Sequence, residues 1–161
     1  MTQEDKDLLL KDLSSRLPYN TKVLCKYYND DFGKENVMET IFILNEIDTR
    51  ILTNPYWIGG NQLQENGFSC GITDFAICID DEDTFIKPYL RRLSSITEKE
   101  ICELMKFGAV VRLENEEVLD VSCVGFDKHA VVQDWLNAHY FDYRGLIDKE
   151  LALVAPEDMY N

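Results

Sequence analysis

The sequence predicts an α+β fold: a small antiparallel, SH3-like β-sheet or barrel flanked by helices, with a second, short hairpin. Three observations predict it. Short runs of β-branched and aromatic residues alternate with turn signals in the first half of the chain. Apolar residues recur at helical spacing near both ends. Apolar residues also make up 45% of the 161 residues, which is enough to bury a core in a chain of this length.

The chain opens with a predicted helix over residues 1–17. Thr2 and Asp5 form an approximate capping box, and leucines recur at helical spacing until Pro18 ends the helix. Five predicted strands follow, over residues 22–28, 37–44, 50–53, 72–79 and 84–86. A turn over 45–49 is predicted between the second and the third strand. We expect these strands to form an acidic β-domain over residues 18–92.

Residues 54–71 contain four glycines and are predicted to be a long loop, either an insertion between strands or a functional loop. Tyr56 and Trp57 lie in it. Tyrosine and tryptophan are favoured interface anchors, so both are candidate partner-binding residues. The alternative is that they fold back as a lid on the end of the barrel.

The remainder, residues 93–161, is predicted to be an α/β portion packed on the β-domain as part of one compact unit. Pro88, just before this portion, is expected to stop further strand pairing. A full capping box at Thr97–Glu100 opens a helix that runs to about Phe107. The later predicted elements are a hairpin, a helix and a short final element: 109–113 with 117–124, 130–140 and 146–153.

The charge excludes two classes of partner. Sixteen basic residues against 30 acidic ones give a net charge of −14. Such a chain is unsuited to binding a nucleic-acid backbone or an anionic membrane. No apolar run is long enough to span a bilayer, and the N-terminus lacks the layout of a signal peptide.

The acidic residues are unevenly distributed. Residues 27–86 hold 12 acids and two bases, a net charge of −10. A strongly negative surface can occupy a protein groove that normally receives a phosphate backbone. The alternative is that the charge only keeps the protein soluble. Four consecutive acids are further candidate partner-binding residues, with a solvated turn as the alternative: Asp80, Asp81, Glu82 and Asp83.

A small anion site is the second binding hypothesis. Residues 51–86 contain no lysine or arginine, and then three cations follow within six positions: Lys87, Arg91 and Arg92. Together with the serines at 94–95 and the N–H groups of the helix opened by Thr97, these cations could hold an anion. The alternative is that they neutralise the acidic half of the chain through internal ion pairs.

Cysteine and histidine usage indicates neither a metal nor a cofactor. The five cysteines are an odd number and form no C-x-x-C pair, so we expect reduced thiols in the cytoplasm. The two histidines, His129 and His139, are ten positions apart, and neither lies beside a cysteine pair, which makes a zinc site improbable.

Catalysis is an alternative hypothesis. His139 lies on the apolar face of its predicted helix and is expected to be packed and hydrogen-bonded. If that helix ended at Phe141, a turn could bring His139 close to Asp142 and Arg144. A cleft that holds these three side chains near Cys102 or Cys123 would favour a small enzyme or ligand sensor.

Three segments resemble small uncharacterised proteins of gut Bacteroides and of their phages and mobile elements. The segments cover about two-fifths of the chain: EDK…LLLKDL…RLPY at residues 4–19, IKPYLR with LSSITE at 86–98, and WLNAHYFDYRGLI…LAL…APEDMY at 135–160. The resemblance implies a bacterial or phage cytosolic setting. It implies no activity and no catalytic residue, and it does not extend to residues 29–83.

The sequence therefore favours a non-enzymatic protein-binding or inhibitory protein of a phage or mobile element. It would act through its acidic surface on a basic protein partner, as a nucleic-acid mimic or an anti-defence factor. A small enzyme or ligand sensor and a structural or regulatory phage component are the alternatives. No cofactor, no direct nucleic-acid contact and no membrane contact are expected.

Overall fold

The computed structural model describes residues 1–28, 37–48, 57–63, 69–76 and 85–160. The chain divides into two compact units, an N-terminal unit over Met1–Tyr89 and a C-terminal unit over Leu90–Asn161. Helices and antiparallel strands are both present, so the predicted α+β class is confirmed. Within the described ranges, no helix is both long and apolar enough to cross a bilayer.

The N-terminal unit begins with helix α1, Gln3–Arg16. The Thr2 hydroxyl accepts the Asp5 backbone N–H, and the Asp5 carboxylate accepts the Thr2 N–H, both at 3.2 Å. The predicted capping box is therefore confirmed. Pro18 lies in a single 3-10 turn after the helix, and Asn20 (φ +54°) then turns the chain into the first strand.

Five strands of the N-terminal unit form an antiparallel sheet in the order β4-β3-β2-β1-β5. They are β1 Lys22–Tyr28, β2 Val37–Asp48, β3 Trp57–Leu63, β4 Ser69–Ala76 and β5 Phe85–Leu90. Among these strands the sheet is open, because β4 and β5 lie at opposite ends of the order and do not pair. The predicted sheet is confirmed, and a closed barrel is not what the described strands form.

The predicted loop over 54–71 is wrong, because β3 and the start of β4 lie within it. Gly59 pairs with Glu46 on one side and with Asp74 on the other, so its backbone groups take part in the sheet. A glycine pair is a frequent turn signal, but a central strand is held by its backbone ladder and needs no side chain there. The fourth strand also begins earlier than predicted, at Ser69.

Two other boundary predictions are wrong. β2 continues to Asp48, through most of the predicted turn at 45–49, with a register shift between Leu44 and Glu46 that interrupts the alternation. β5 runs through Pro88, which lies opposite Val23, although Pro88 was expected to stop strand pairing. A proline is tolerated in a strand at a position where its missing N–H removes no ladder hydrogen bond. The predicted strand at 50–53 lies outside the described residues.

Alternate apolar residues of β1, β2 and β5 are buried, as are two leucines of α1, which contacts β2. Each of these side chains is at most 2% exposed: Val23, Cys25, Phe42, Leu44 and Ile86 on the strands, and Leu9 and Leu13 on α1. Asp12 and Arg16, one turn apart on α1, form an ion pair of 2.7 Å between Nε and Oδ2, with both side chains fully buried. Removing either partner of such a pair is strongly destabilising.

The C-terminal unit contains α2 Glu98–Lys106, the hairpin β6 Ala109–Glu114 and β7 Glu117–Cys123, α3 Phe126–Ala138 and the short β8 Leu153–Val154. Its core joins the helices to the hairpin through Ile96, Leu104, Ala109, Val118, Val132, Leu136 and Phe141. The predicted hairpin and the capping box at the start of α2 are confirmed. The last helix starts four residues before its predicted start and ends two residues early.

The two-residue turn of the β6–β7 hairpin offers a stabilising substitution. Asn115 (φ +50°) and Glu116 (φ +70°) both adopt left-handed backbone. Asparagine tolerates this conformation, whereas a glutamate pays a steric penalty there. We expect Glu116→Gly to raise the free energy of unfolding by about 1 kcal/mol, measured by urea denaturation.

Two controls separate backbone strain from charge. Glu116→Gln removes the charge but keeps the Cβ atom, and Asn115→Gly relieves a smaller strain. Both are expected to stabilise less than Glu116→Gly. A glycine variant no more stable than the glutamine variant would contradict the role of strain.

Candidate functional site

A cleft of about 820 Å³ in the C-terminal unit is the candidate site. Four segments build it: the chain after β5, the start of α2, the end of α3 and the C-terminal segment. The charged residues and the other polar residues apart from tyrosine that line it are Arg91, Arg92, Ser94, Ser95, Thr97, Lys99, Glu100, His139 and Glu157. The remaining lining is mainly apolar or aromatic: Ala138, Tyr140, Val154, Ala155, Pro156 and Tyr160.

The backbone of Arg91 joins two of these segments. Its N–H donates to the Tyr140 carbonyl, and its carbonyl accepts the Asp142 N–H, both at 2.8 Å. The bonds form a parallel bridge between Arg91 and Phe141. The chain that leaves β5 is thereby fixed beside the chain that leaves α3.

The side chain of Arg91 reaches a third segment. Nη1 donates to Glu100 Oε1 at 2.8 Å, and Nη2 lies 3.3 Å from both Glu100 Oε2 and the Ser95 carbonyl. The guanidinium carbon lies 4.1 Å from the centre of the Phe141 ring. Only 28% of the Arg91 side chain and 15% of the Glu100 side chain are exposed. This bidentate ion pair is therefore stronger than an ion pair on the surface.

Glu100 also caps the helix on which it lies. Its Oε2 accepts the Thr97 N–H and the Thr97 hydroxyl, both at 2.8 Å. Burial works against the charged carboxylate, but the hydrogen bonds from Arg91 and Thr97 and the positive charge of Arg91 outweigh it. The pKa of Glu100 is therefore held below its ordinary value.

The structure brings together two of the three cations of the predicted anion site. Arg91 and Arg92 line the cleft with the predicted serines and Thr97. Lys87 lies instead on β5 of the N-terminal unit, with its Nζ atom 5.3 Å from the centre of the Phe85 ring. The predicted grouping follows the order of the chain, whereas the cleft collects residues from separate segments.

Both arginines are ion-paired, as the neutralisation alternative proposes, but with acids of the C-terminal unit. Arg92 Nη1 lies 2.9 Å from Asp148 Oδ1. That pair is 48% and 78% exposed, so it contributes little and opens easily. Arg91 is held by its partly buried pair with Glu100. Arg92 can leave its exposed pair with Asp148 and bind an anion.

Lys99 and His139 are lining residues that the predicted anion site did not include. Lys99 is exposed near the start of α2 and forms no ion pair within the described part of the chain. His139 Nδ1 lies 2.8 Å from the Trp135 carbonyl, and its ring stacks on Trp135 at 3.8 Å. Because a carbonyl only accepts hydrogen bonds, Nδ1 is the donor in this contact.

His139, Asp142 and Arg144, the three residues of the enzyme alternative, each contact different groups. Asp142 Oδ1 accepts the Leu146 N–H at 2.9 Å and Oδ2 accepts the Ile147 N–H at 2.7 Å. The Arg144 guanidinium lies over the Tyr143 ring at 4.4 Å. His139 lines the cleft, whereas Asp142 and Arg144 do not. The carboxylate of Asp142 orders the turn that follows it.

The cysteines and metal ligands give no further candidate within the described ranges. Cys102 is exposed and Cys123 half-buried, and neither is among the residues that line the cleft. Burial raises the pKa of the Cys25 thiol, which keeps it protonated and unreactive. No group of three or more histidine, cysteine and acidic side chains there is arranged to hold a metal ion.

Most of the predicted partner-binding residues lie outside the described part of the chain. These are Tyr56, Asp80, Asp81, Glu82 and Asp83. Trp57 is the first residue of β3, opposite Ala76 of β4 on one side and Asp48 of β2 on the other. These residues remain predictions.

The β6–β7 hairpin carries exposed apolar side chains that the sequence analysis did not single out. Val110, Leu113 and Leu119 are each about half exposed, as is Met105 near the end of α2. The regular alternation of the hairpin predicts one buried face, but a two-stranded sheet leaves both edges and much of its other face uncovered.

Comparisons with protein-family models, with curated proteins and with solved structures found no match to this chain.

Asp142 gives a test of its structural role. We expect Asp142→Asn to lower the free energy of unfolding by about 1–3 kcal/mol, because one buried backbone N–H loses its acceptor. Urea denaturation followed by circular dichroism measures the change. Asp148→Asn is the control, since its ion pair is exposed, and we expect a loss below about 0.5 kcal/mol. Equal stability of the Asp142 variant and the parent protein would contradict the assignment.

The Glu100 pair predicts an acid-dependent stability. The pKa of Glu100 is lower in the folded protein than in the unfolded chain, so its stabilisation is complete above the ordinary glutamate pKa. It is lost as the pH falls through the folded-state pKa. We expect the stability difference between the parent protein and Glu100→Gln to be greatest at neutral pH and to vanish in acid.

Denaturation midpoints measured from pH 7 to pH 3 give this difference. The control is Glu98→Gln, which alters an exposed residue of the same helix. A Glu100→Gln difference that stays constant over this range would contradict the prediction.

Proposed function

We propose that the protein is a non-enzymatic binding protein that recognises or inhibits a basic protein partner through the acid-rich strand region, residues 27–86. The observation that carries this proposal is the charge asymmetry. This region has 12 acids against two bases, Lys34 and Arg50. A segregated negative surface steers and orients a positively charged partner.

The order of strands supports the proposal by arranging charge across the sheet. The lysines nearest the region lie on β1 and β5: Lys22, Lys26 and Lys87. Four of its acids lie on β2 and β4: Glu39, Glu46, Asp48 and Asp74. Because β1 pairs with β5 on one side and β2 on the other, basic positions cluster toward one end of the order and acidic positions toward the other.

The SH3-like description belongs to the same proposal. The first strand of the unit pairs with both the second and the fifth, and the second to fourth strands form a meander. This connectivity supports a small SH3-like sheet as the scaffold of the acidic surface.

The resemblance to small proteins of Bacteroides, phages and mobile elements suggests the kind of target. A negatively charged inhibitor in that setting would act as a nucleic-acid mimic or an anti-defence factor, with a nucleic-acid enzyme as its natural partner. The separate engagement of Asp142, Arg144 and His139 favours binding over catalysis.

The proposal is tested with the full chain as bait. Proteins captured from a Bacteroides lysate are identified and purified, and their dissociation constants are measured by isothermal titration calorimetry. We expect a basic partner whose affinity falls about tenfold or more between roughly 50 and 300 mM NaCl, because salt screens exposed charges.

A matched pair of variants locates the surface. Neutralising three strand acids together (Glu46→Gln, Asp48→Asn and Asp74→Asn) is expected to weaken binding about tenfold at low salt. Neutralising three exposed acids of the C-terminal unit (Glu98→Gln, Glu114→Gln and Glu117→Gln) makes the same change in net charge and should leave the affinity unchanged. A salt-insensitive complex, equal effects of both variants, or no partner would refute the proposal.

A further inference from the structure

We propose that the cleft of the C-terminal unit is a second binding site, for a phosphate monoester whose organic part is flat and apolar. The site is independent of the acidic strand region. Two observations carry the proposal: three cationic side chains line the cleft of an otherwise acidic protein, and a stacked aromatic pair is among the same lining residues.

Three cationic side chains are among the residues that line the cleft. Arg91, Arg92 and Lys99 line the cleft together with two acids, Glu100 and Glu157, in a chain whose net charge is −14. Because Arg91 pairs with Glu100 and Arg92 with Asp148, the attraction for an anion comes from Lys99 and from Arg92 when its exposed contact opens. A phosphate offers two negative charges and several acceptor oxygens, so it matches several separate donors better than a neutral ligand does.

The donors differ in how firmly they are held. Three hydrogen bonds fix the Arg91 guanidinium to Glu100 and Ser95, and these use three of its five N–H donors. Arg91 is therefore a rigid part of the lining. Lys99 is exposed and forms no ion pair with any described residue, and the contact of Arg92 with Asp148 is exposed and weak. Lys99 and Arg92 can turn to a phosphate at little cost.

The aromatic lining provides a flat apolar surface. The rings of Tyr140 and Tyr160 stack with their centres 3.5 Å apart and an angle of 9° between their planes. Burial raises the pKa of Tyr140, so its phenol stays neutral. Tyr140 has φ +62°, a backbone conformation that residues other than glycine seldom adopt. Such residues are often found at functional sites. An organic group beside this pair would lose water-exposed apolar area.

Three probes separate the contributions to binding: phenyl phosphate, inorganic phosphate and phenol. Each is titrated into the ¹⁵N-labelled full chain, and amide shifts are followed by NMR. We expect phenyl phosphate to shift the amides of residues 91–100 and 138–141. It should bind at least about tenfold more tightly than either fragment, because only phenyl phosphate contacts both the cationic side chains and the aromatic pair.

Variants identify the groups responsible. Lys99→Gln and Arg92→Gln are each expected to weaken phenyl phosphate binding about threefold to tenfold. Lys106→Gln, which removes an exposed lysine from the other end of the same helix, should leave it unchanged. Tyr160→Leu keeps an apolar side chain but removes the ring, and it should reduce the preference for phenyl phosphate over inorganic phosphate.

Several results would overturn the proposal. Binding of inorganic phosphate as tight as that of phenyl phosphate would mean that the aromatic pair plays no part. An equal loss in Lys106→Gln would mean a general charge effect, and absence of shifts at about 10 mM ligand would mean that no site exists. Neutralising the strand acids at 46, 48 and 74 should not alter phenyl phosphate binding, so this test is independent of the proposed function.

Discussion

The arrangement of the C-terminal unit depends on Arg91. Its backbone holds the chain after β5 beside the chain after α3, through bonds to Tyr140 and Asp142. Its side chain ties both to the start of α2 through Glu100, while its guanidinium covers the buried Phe141 ring. Because Glu100 also caps α2, one carboxylate serves both the local structure of the helix and the long-range contact. Three of the four segments that line the cleft are therefore held at one residue.

The sequence allowed local features to be predicted well, because their causes lie within a few residues. The capping box of Thr97 and Glu100, the β6–β7 hairpin and the bounds of β1 follow from neighbouring residues. The strand through Gly59 could not be predicted in this way, because its hydrogen-bond partners lie on β2 and β4. The same reason applies to Pro88, whose partner in the ladder is Val23 on β1, 65 positions earlier in the chain.

The candidate site was predictable only in part. Arg91 and Arg92 stood out because a long stretch without cations precedes them. Lys87 was grouped with them by its place in the chain, but it lies on a strand of the N-terminal unit. Lys99, His139 and Tyr160 come from three separate segments, and no short spacing links them to the arginines. Tertiary packing creates this set of neighbours, so its signal is absent from any one stretch of sequence.

The buried pair of Asp12 and Arg16 has a consequence for how this chain can change over generations. Replacing either residue alone removes one partner of a fully buried ion pair, at a cost of about 3–5 kcal/mol, whereas replacing both with well-packed apolar residues is often neutral. The two positions are therefore energetically coupled, and the effect of one substitution on stability depends on the residue at the other position. When the two residues change one at a time, the intermediate variant is less stable than either end state. An ion pair of modest net stability is therefore expected to persist in proteins that descend from this chain.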